Sequence, residues 1–328
     1  MTKRKICAVV KANAYGHGAE EVANALSGVA DFFAVALVEE GIALKVSACG
    51  KEVLVFTPPL TEEEVFALAT GGCSVTIPDL YTARLVKQTC AKYQVRVRAH
   101  LKVNTGMNRY GMNVSMLGKV CQYLQDDLYV EVAGIYSHLY GTKVETAQKQ
   151  KELFANAVRV GKKYFSELNA HLGGTFAALL GEEYWFDSLR IGIGLYGYLP
   201  CTEIGNGVLS QPLKKAMTVT ATTVADREYH YGGVGYGENA KIEGKRLSVC
   251  RFGYADGFLR QNQNGILPSE TGANTLCMDV SLLWDAGKRG EEKILLSNAD
   301  EVAEICGTIS YEVLCAATRR AEFVYDYE

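Results

Sequence analysis

The chain has no uninterrupted apolar run long enough to cross a bilayer. It also has no CxxC pair and no compact cysteine ladder, although it carries 10 cysteines. Cys7, Cys49, Cys73, Cys90, Cys121, Cys201, Cys250, Cys277, Cys306 and Cys315 are scattered singly. That spacing suits reduced, mostly buried thiols and speaks against a disulfide framework or a zinc site. Excess charge is missing too. A net charge of −3 implies no strongly basic face, which argues against nucleic acid as a partner. The segment Met1-Thr2-Lys3-Arg4-Lys5 is basic, but only about five apolar residues separate it from Lys11, too few for the apolar core of a signal peptide. No internal repeat or low-complexity tract stands out. These absences leave a cytoplasmic globular protein, and 328 residues are enough for two domains.

What is present is an alternation of strand and helix. Strand-like runs fall at residues 6–10, 32–37, 52–56, 73–77, 95–103, 130–137, 168–171 and 189–195. Stretches of helical period lie between them, such as 62–69, 80–92 and 145–165. Eight strands with interleaved helices is the count of a (β/α)8 barrel of the TIM type. A doubly wound open sheet has a phosphate-binding glycine turn after its first strand, and Gly16-His17-Gly18 lacks the GxGxxG form. Residues 200–212 read as a linker. Beyond them, runs at 217–224, 247–252, 274–278, 293–296 and 322–325 suggest a smaller, mainly β domain over 212–328. The first domain then spans 1–200.

The first strand ends on a lysine, followed by small residues and glycines, in Ala8-Val9-Val10-Lys11-Ala12-Asn13-Ala14-Tyr15-Gly16-His17-Gly18. A buried ammonium is costly unless it is paired or neutralised. Lys11 either snorkels out at the strand tip or is a Schiff-base lysine of lowered pKa. Other polar residues also fall at strand ends: Lys102, Asn104 and Arg109 after the fifth, His138 after the sixth, Gly173 to Thr175 after the seventh, and Arg190 and Gly192 in the eighth. In a barrel, all of these face one mouth.

Residues Val9 to Gly18 resemble the pyridoxal 5'-phosphate attachment site of the alanine racemase family. Leu101-Lys102-Val103-Asn104-Thr105-Gly106-Met107-Asn108-Arg109-Tyr110-Gly111 is similar to that family's second signature. Val234-Gly235-Tyr236-Gly237, Gly253-Tyr254-Ala255-Asp256-Gly257 and Leu276-Cys277-Met278-Asp279 follow in the family's order. The resemblance implies a fold-type III pyridoxal-phosphate racemase, acting on alanine, whose product D-alanine serves the cell wall. Lys11 would hold the cofactor and act as one catalytic base. Tyr236 would be the second base, reaching into the site of a partner subunit, so that a complete site needs a homodimer. Arg190 would hydrogen-bond the pyridine nitrogen, and His138 would bridge Arg190 and the catalytic tyrosine.

By the same resemblance, Tyr15, Thr175 and the amides of Gly192 and Ile193 would hold the phosphate. Arg109 would face the substrate carboxylate or the cofactor's phenolic oxygen, paired with a carbamylated Lys102. Tyr254 and Asp279 would line the site's mouth, and the Met278 amide would meet substrate. Asn104 stands where the family usually has aspartate, and Thr175 where it usually has serine. Arg319 stands where a phosphate-contacting tyrosine is expected, and it is a further candidate for the phosphate or for a polar substrate side chain. Two other functions fit the same residues: a serine racemase of the glycopeptide-resistance type, and a non-catalytic pyridoxal-phosphate-binding protein. No metal is implied.

Overall fold

The computed structural model describes residues 4–47, 50–141, 143–200, 209–262, 274–284 and 287–327. Most of the expected linker, 201–208, lies outside the described residues. The chain divides into two compact units. One is built from residues 1–14, 19–195 and 199–213, the other from 15–18, 196–198 and 214–328.

The first unit carries eight strands: β1 (Lys5–Val9), β2 (Phe32–Val35), β3 (Val53–Val55), β4 (Val75–Ile77), β5 (Val97–Lys102), β6 (Val130–Tyr136), β7 (Asn169–His171) and β8 (Ser188–Ile191). Each coincides with an expected run. They pair in parallel in the orders β3-β2-β1-β8 and β4-β5-β6-β7. Main-chain bonds join the two groups. Ser74 N–H donates to Val53 O at 2.8 Å and Val55 N–H to Ser74 O at 2.9 Å, while Asp187 N–H donates to Ala170 O at 2.9 Å. The sheet therefore closes into a barrel, and short runs such as Val53-Leu54-Val55 are buried throughout because both of their faces are covered.

The helices follow from caps and spacing. Asp79 caps Leu80–Tyr93 by accepting from Thr82 N–H, and Asn113 caps Val114–Leu124 by accepting from Met116 N–H. In the latter helix Leu117, Val120, Cys121 and Leu124 are buried, at the i, i+3, i+4, i+7 spacing of one face.

The residues after β1 form one helical turn, Lys11–Gly16, of unusual hand. Ala12, Asn13, Ala14 and Tyr15 all have positive φ, between +51° and +55°. For residues with a Cβ this costs about 1–2 kcal/mol each, so the surroundings must hold the turn in place. Glu40 does so. Its Oε1 accepts Ala12 N–H at 2.6 Å, and its Oε2 accepts Ala36 and Leu37 N–H at 2.8 and 3.0 Å. Asn13 Oδ1 accepts Ala19 N–H at 2.8 Å.

In the second unit, β9 (Val219–Glu228), β10 (Arg246–Cys250), β11 (Ser281–Trp284) and β12 (Glu292–Leu296) form an antiparallel sheet in the order β11-β10-β9-β12. Val234, Ile242, Leu247 and Leu282 pack as a buried cluster. Three expectations need correction here. The run 274–278 makes only single bridges, Gly235 to Asn274 and Leu276 to Ser281, and the strand lies just beyond it at β11. The run 322–325 is irregular. The helices Ala299–Cys306 and Ser310–Ala316 were not expected within a domain read as mainly β. Asn298 caps the first of them by accepting from Asp300 N–H, and Gly307 ends it at a φ of +65°.

Replacing Glu40 with alanine removes an acceptor shared by three amides. The variant is expected to lose about 1–3 kcal/mol in urea unfolding. An unchanged midpoint would mean that the left-handed turn does not depend on this carboxylate.

Candidate active site

Within the first unit, the strand ends bring Lys102, His138 and Arg190 together. Arg190, in β8, is buried, and its guanidinium is held from several sides. Nη1 donates to His171 O and to His171 Nδ1, both at 2.8 Å. Nη2 donates to Ser137 O at 2.6 Å and Leu172 O at 3.0 Å, and lies 3.4 Å from His138 Nδ1. Burial pulls its pKa down to about 10, which still leaves it a cation at neutral pH.

Burial, then the charges of Arg190, Lys102, Arg109 and Lys11, hold His138 well below the ordinary histidine range. His171 is lowered in the same direction by burial and then by Arg190. Lys102 ends β5 with its Nζ 4.3 Å above the Tyr136 ring. Burial first, and then Arg190 and Arg109, lower its pKa well below that of a free lysine, which shifts its amine toward the uncharged, nucleophilic form.

Asn104 does not pair with either cation. Its Oδ1 accepts Gly106 and Asn108 N–H, which folds the turn leading to Arg109, and Arg109 lies 5.3 Å over the Tyr110 ring. Lys11 is separated from β1 by Val10 alone, starts the left-handed turn, and is half-buried. Thr175 opens the helix Thr175–Leu180, and its Oγ1 accepts Gly194 N–H at 3.2 Å. This contact ties the β7 end to the single turn Ile193–Tyr196 that follows Gly192. A Cβ on Gly194 would fall 2.8 Å from Thr175 Cγ2, so only glycine allows that approach.

The second unit holds the remaining candidates. Tyr15 is buried, with its ring 5.0 Å from Tyr196 and 5.9 Å from Tyr311. Burial pushes both the Tyr15 and Tyr196 phenols up, which keeps them protonated donors. A Cβ on Gly16 would lie 2.4 Å from Leu314 O. Tyr254 begins the turn Tyr254–Asp256, whose backbone packs on the next candidate segment: Ala255 N–H donates to Met278 O at 3.0 Å. Asp279 pairs with Arg320 at 2.9 Å, and Arg320 also meets Asp256 at 2.8 Å. Arg319 is exposed, so the guanidinium that organises this corner is its neighbour. Tyr236 is 70% exposed on the tight turn Val234 to Gly237, whose end residues exchange main-chain hydrogen bonds at 2.9 Å.

Three functional-looking residues of the barrel were missed by sequence reasoning: His171, His100 and Glu52. The period of two in β5 places His100 on the same face as Lys102, which was the available signal. Among the described residues no cluster of three His, Cys, Asp or Glu side chains could hold a metal, and no helix is long and apolar enough to cross a membrane.

The donor set of the barrel suits an anionic aromatic aldehyde. It offers a lysine at a strand end, a fixed cationic donor, and a threonine-braced turn of amides. Comparisons with known proteins agree with that chemistry. The family profile described as alanine racemase, N-terminal domain, matches residues 1–200, and that of the C-terminal domain matches 216–325. An alanine racemase from Nostoc sp. is 32% identical, with 97% of this chain and 88% of the relative covered. The solved alanine racemase of Clostridium difficile 630 superposes with a TM-score of 0.85 at 26% identity, covering 98% of this chain and 88% of that one. The alanine racemase from Bartonella henselae, solved with covalently bound pyridoxal phosphate, gives 0.83 at 25% identity, covering 99% and 93%.

His138 and His171 are neutral in the folded chain, whereas in the unfolded chain each takes up a proton below about pH 6.5. The unfolded state then binds more protons, so stability falls as pH falls, by up to about 1.4 kcal/mol per pH unit for each histidine. Urea unfolding at about pH 5 is expected to give a stability about 2–4 kcal/mol below that at about pH 7. The loss should shrink in His171→Gln. A flat profile would contradict the neutral assignment.

Proposed function

The chain belongs to the alanine racemase family, and from that premise we propose that it interconverts L-alanine and D-alanine with pyridoxal 5'-phosphate. The observation that carries the reading is the barrel mouth, where Lys11 lies just past the first strand and Arg190, buried with both terminal nitrogens engaged, stands in the eighth. When bound, the cofactor supplies an electron sink that makes the Cα proton of the amino acid removable.

Lys11 holds the cofactor and moves the proton at one face of Cα. Tyr236 of the partner subunit moves it at the other, with the roles exchanged in the reverse direction. Its exposure on a tight turn suits a side chain that completes a neighbour's site, and the reading therefore includes a homodimer. Arg190 would offer a donor to the pyridine nitrogen of the bound cofactor. Because the guanidinium keeps its proton, that nitrogen stays unprotonated, the sink is weakened, and side reactions are disfavoured. His138, held neutral and 3.4 Å from Arg190 Nη2, would bridge Arg190 and the tyrosine base. Tyr15, Thr175 and the amides of Gly192 and Ile193 bind the phosphate, with phenol and hydroxyl as neutral donors.

Lys102 is the amine best placed to take up carbon dioxide. It loses a proton, becomes a carbamate, and pairs with Arg109, which is then aimed at the substrate carboxylate. Met278, Tyr254 and Asp279 belong to the substrate's approach, and Arg319 is an exposed cation available to a polar ligand group. The reading also places the protein in the cytoplasm, where it would supply D-alanine for the cell wall.

The purified protein is expected to absorb near the visible edge and to interconvert the alanine enantiomers by chiral analysis. Lys11→Ala should lose both properties. Tyr236→Phe should keep the absorbance and lose most turnover, at least about a hundredfold. Growth with 13C-bicarbonate should label a carbamate carbon that is absent in Lys102→Met. Absorbance with turnover of serine rather than alanine would overturn the substrate, and no absorbance at all would overturn the reading.

A further inference from the structure

Four polar side chains line up through the interior of the barrel. His171 Nδ1 accepts from Arg190 Nη1 at 2.8 Å, and His171 Nε2 lies 2.9 Å from His100 Nδ1. His100 Nε2 lies 2.8 Å from Glu52 Oε1. Glu52 immediately precedes β3, near the strand starts, whereas His171 and Arg190 stand at or near the ends of β7 and β8. The chain of contacts thus runs from the floor of the barrel to the mouth.

Its direction is fixed from both ends. A guanidinium only donates and a carboxylate only accepts. His171 Nδ1 must therefore carry a lone pair and its Nε2 a proton, which is donated to His100 Nδ1. His100 Nε2 then carries the proton donated to Glu52. In this order of donors and acceptors each ring carries a lone pair on Nδ1 and a proton on Nε2. One assignment satisfies every contact, and reversing either ring sets two donors or two acceptors face to face.

The surroundings are fitted to this arrangement. His100 and His171 are 1% and 0% exposed. Tyr136 stacks on His171 with ring planes 1° apart, and its hydroxyl is held by Thr76 at 2.8 Å. Gly134, in β6, leaves room for the His100 ring: a Cβ there would lie 2.3 Å from His100 Nδ1. Burial alone would raise the Glu52 carboxyl. The hydrogen bond and electrostatic attraction of His100, then a hydrogen bond from Ser74 and the Arg98 charge, instead bring it down to about 2, so the far end of the line is an anion.

We propose that Glu52, through His100 and His171, is a positioning residue that fixes the orientation of the Arg190 guanidinium. This rests on the function proposed above only for its kinetic consequence. With an apolar residue at position 52, His100 Nε2–H loses its acceptor, and both rings become free to exchange tautomers. An Nδ1–H form of His171 would oppose Arg190 donor to donor and turn it away from its place.

The test uses the holoenzyme labelled with 15N-histidine, in which His100→Gln and His171→Gln assign the two ring signals. The wild-type protein is expected to show both rings as Nε2–H, whether or not it racemises alanine. Glu52→Leu should give a mixed or Nδ1–H His171, shift the cofactor absorbance, and lower kcat about tenfold or more with little change in KM. Glu52→Gln retains an acceptor of the same shape and should restore the tautomer and most of kcat, and it also reports if the leucine variant fails to fold. An Nδ1–H or doubly protonated His171 in the wild type would overturn the proposal. So would a Glu52→Leu protein with unchanged tautomer, absorbance and kcat.

Discussion

The structure of the barrel mouth depends on where Arg190 puts its charge. A buried guanidinium is tolerable only when its donors are met, and here main-chain carbonyls of Ser137, His171 and Leu172 meet them together with a histidine ring. That cation lies among other positive groups, and the effect is visible on each of them. It contributes to holding His138 and His171 neutral, and it helps to drive Lys102 toward its uncharged form. A lysine shifted toward its uncharged form gains nucleophilicity, and a neutral His138 is a hydrogen-bonding group rather than a charge. One arginine, together with burial, thus sets the protonation state of the residues around it.

A second constraint acts on the neighbouring strand, β1, which pairs with β8. Four successive residues after β1 take a backbone conformation that is unfavourable for side chains with a Cβ, and they stay in it because Glu40 and Asn13 accept the amides that the turn leaves over. The strain sits where the lysine leaves the strand. It fixes the direction in which Lys11 departs from β1, as a functional group on a scaffold requires, at a cost met by neighbouring hydrogen bonds.

Strands such as β2 (Phe-Phe-Ala-Val) and β3 (Val-Leu-Val) were legible because a parallel strand covered on both faces is a short continuous apolar run, whereas β5, β7 and β8 carry polar residues and were read from their place in the alternation. The second unit was less legible. Asn274 to Met278 has strand-like composition but makes only single bridges, because pairing there is decided by the turn at Gly235 rather than by its own pattern. The helices after Asn298 depend on one cap and one left-handed glycine, which are weak signals beside the β-branched runs around them. Among the site residues, Lys102, His138, Arg190 and Thr175 were found because they fall at strand ends. His100, His171 and Glu52 were not, since an isolated histidine inside a strand reads as core until its partners are known. The left-handed turn was also hidden: Ala-Asn-Ala-Tyr has no composition that demands positive φ.

The most direct test of the central role of Arg190 is the guanidinium 15N–1H spectrum of the protein labelled with 15N-arginine, assigned with Arg190→Lys. A guanidinium clamped by this many acceptors should show separate, slowly exchanging Nη protons that persist from about pH 6 to about pH 9. A single averaged Nη signal, or loss of its protons within that range, would contradict the account of a fixed, permanently charged donor.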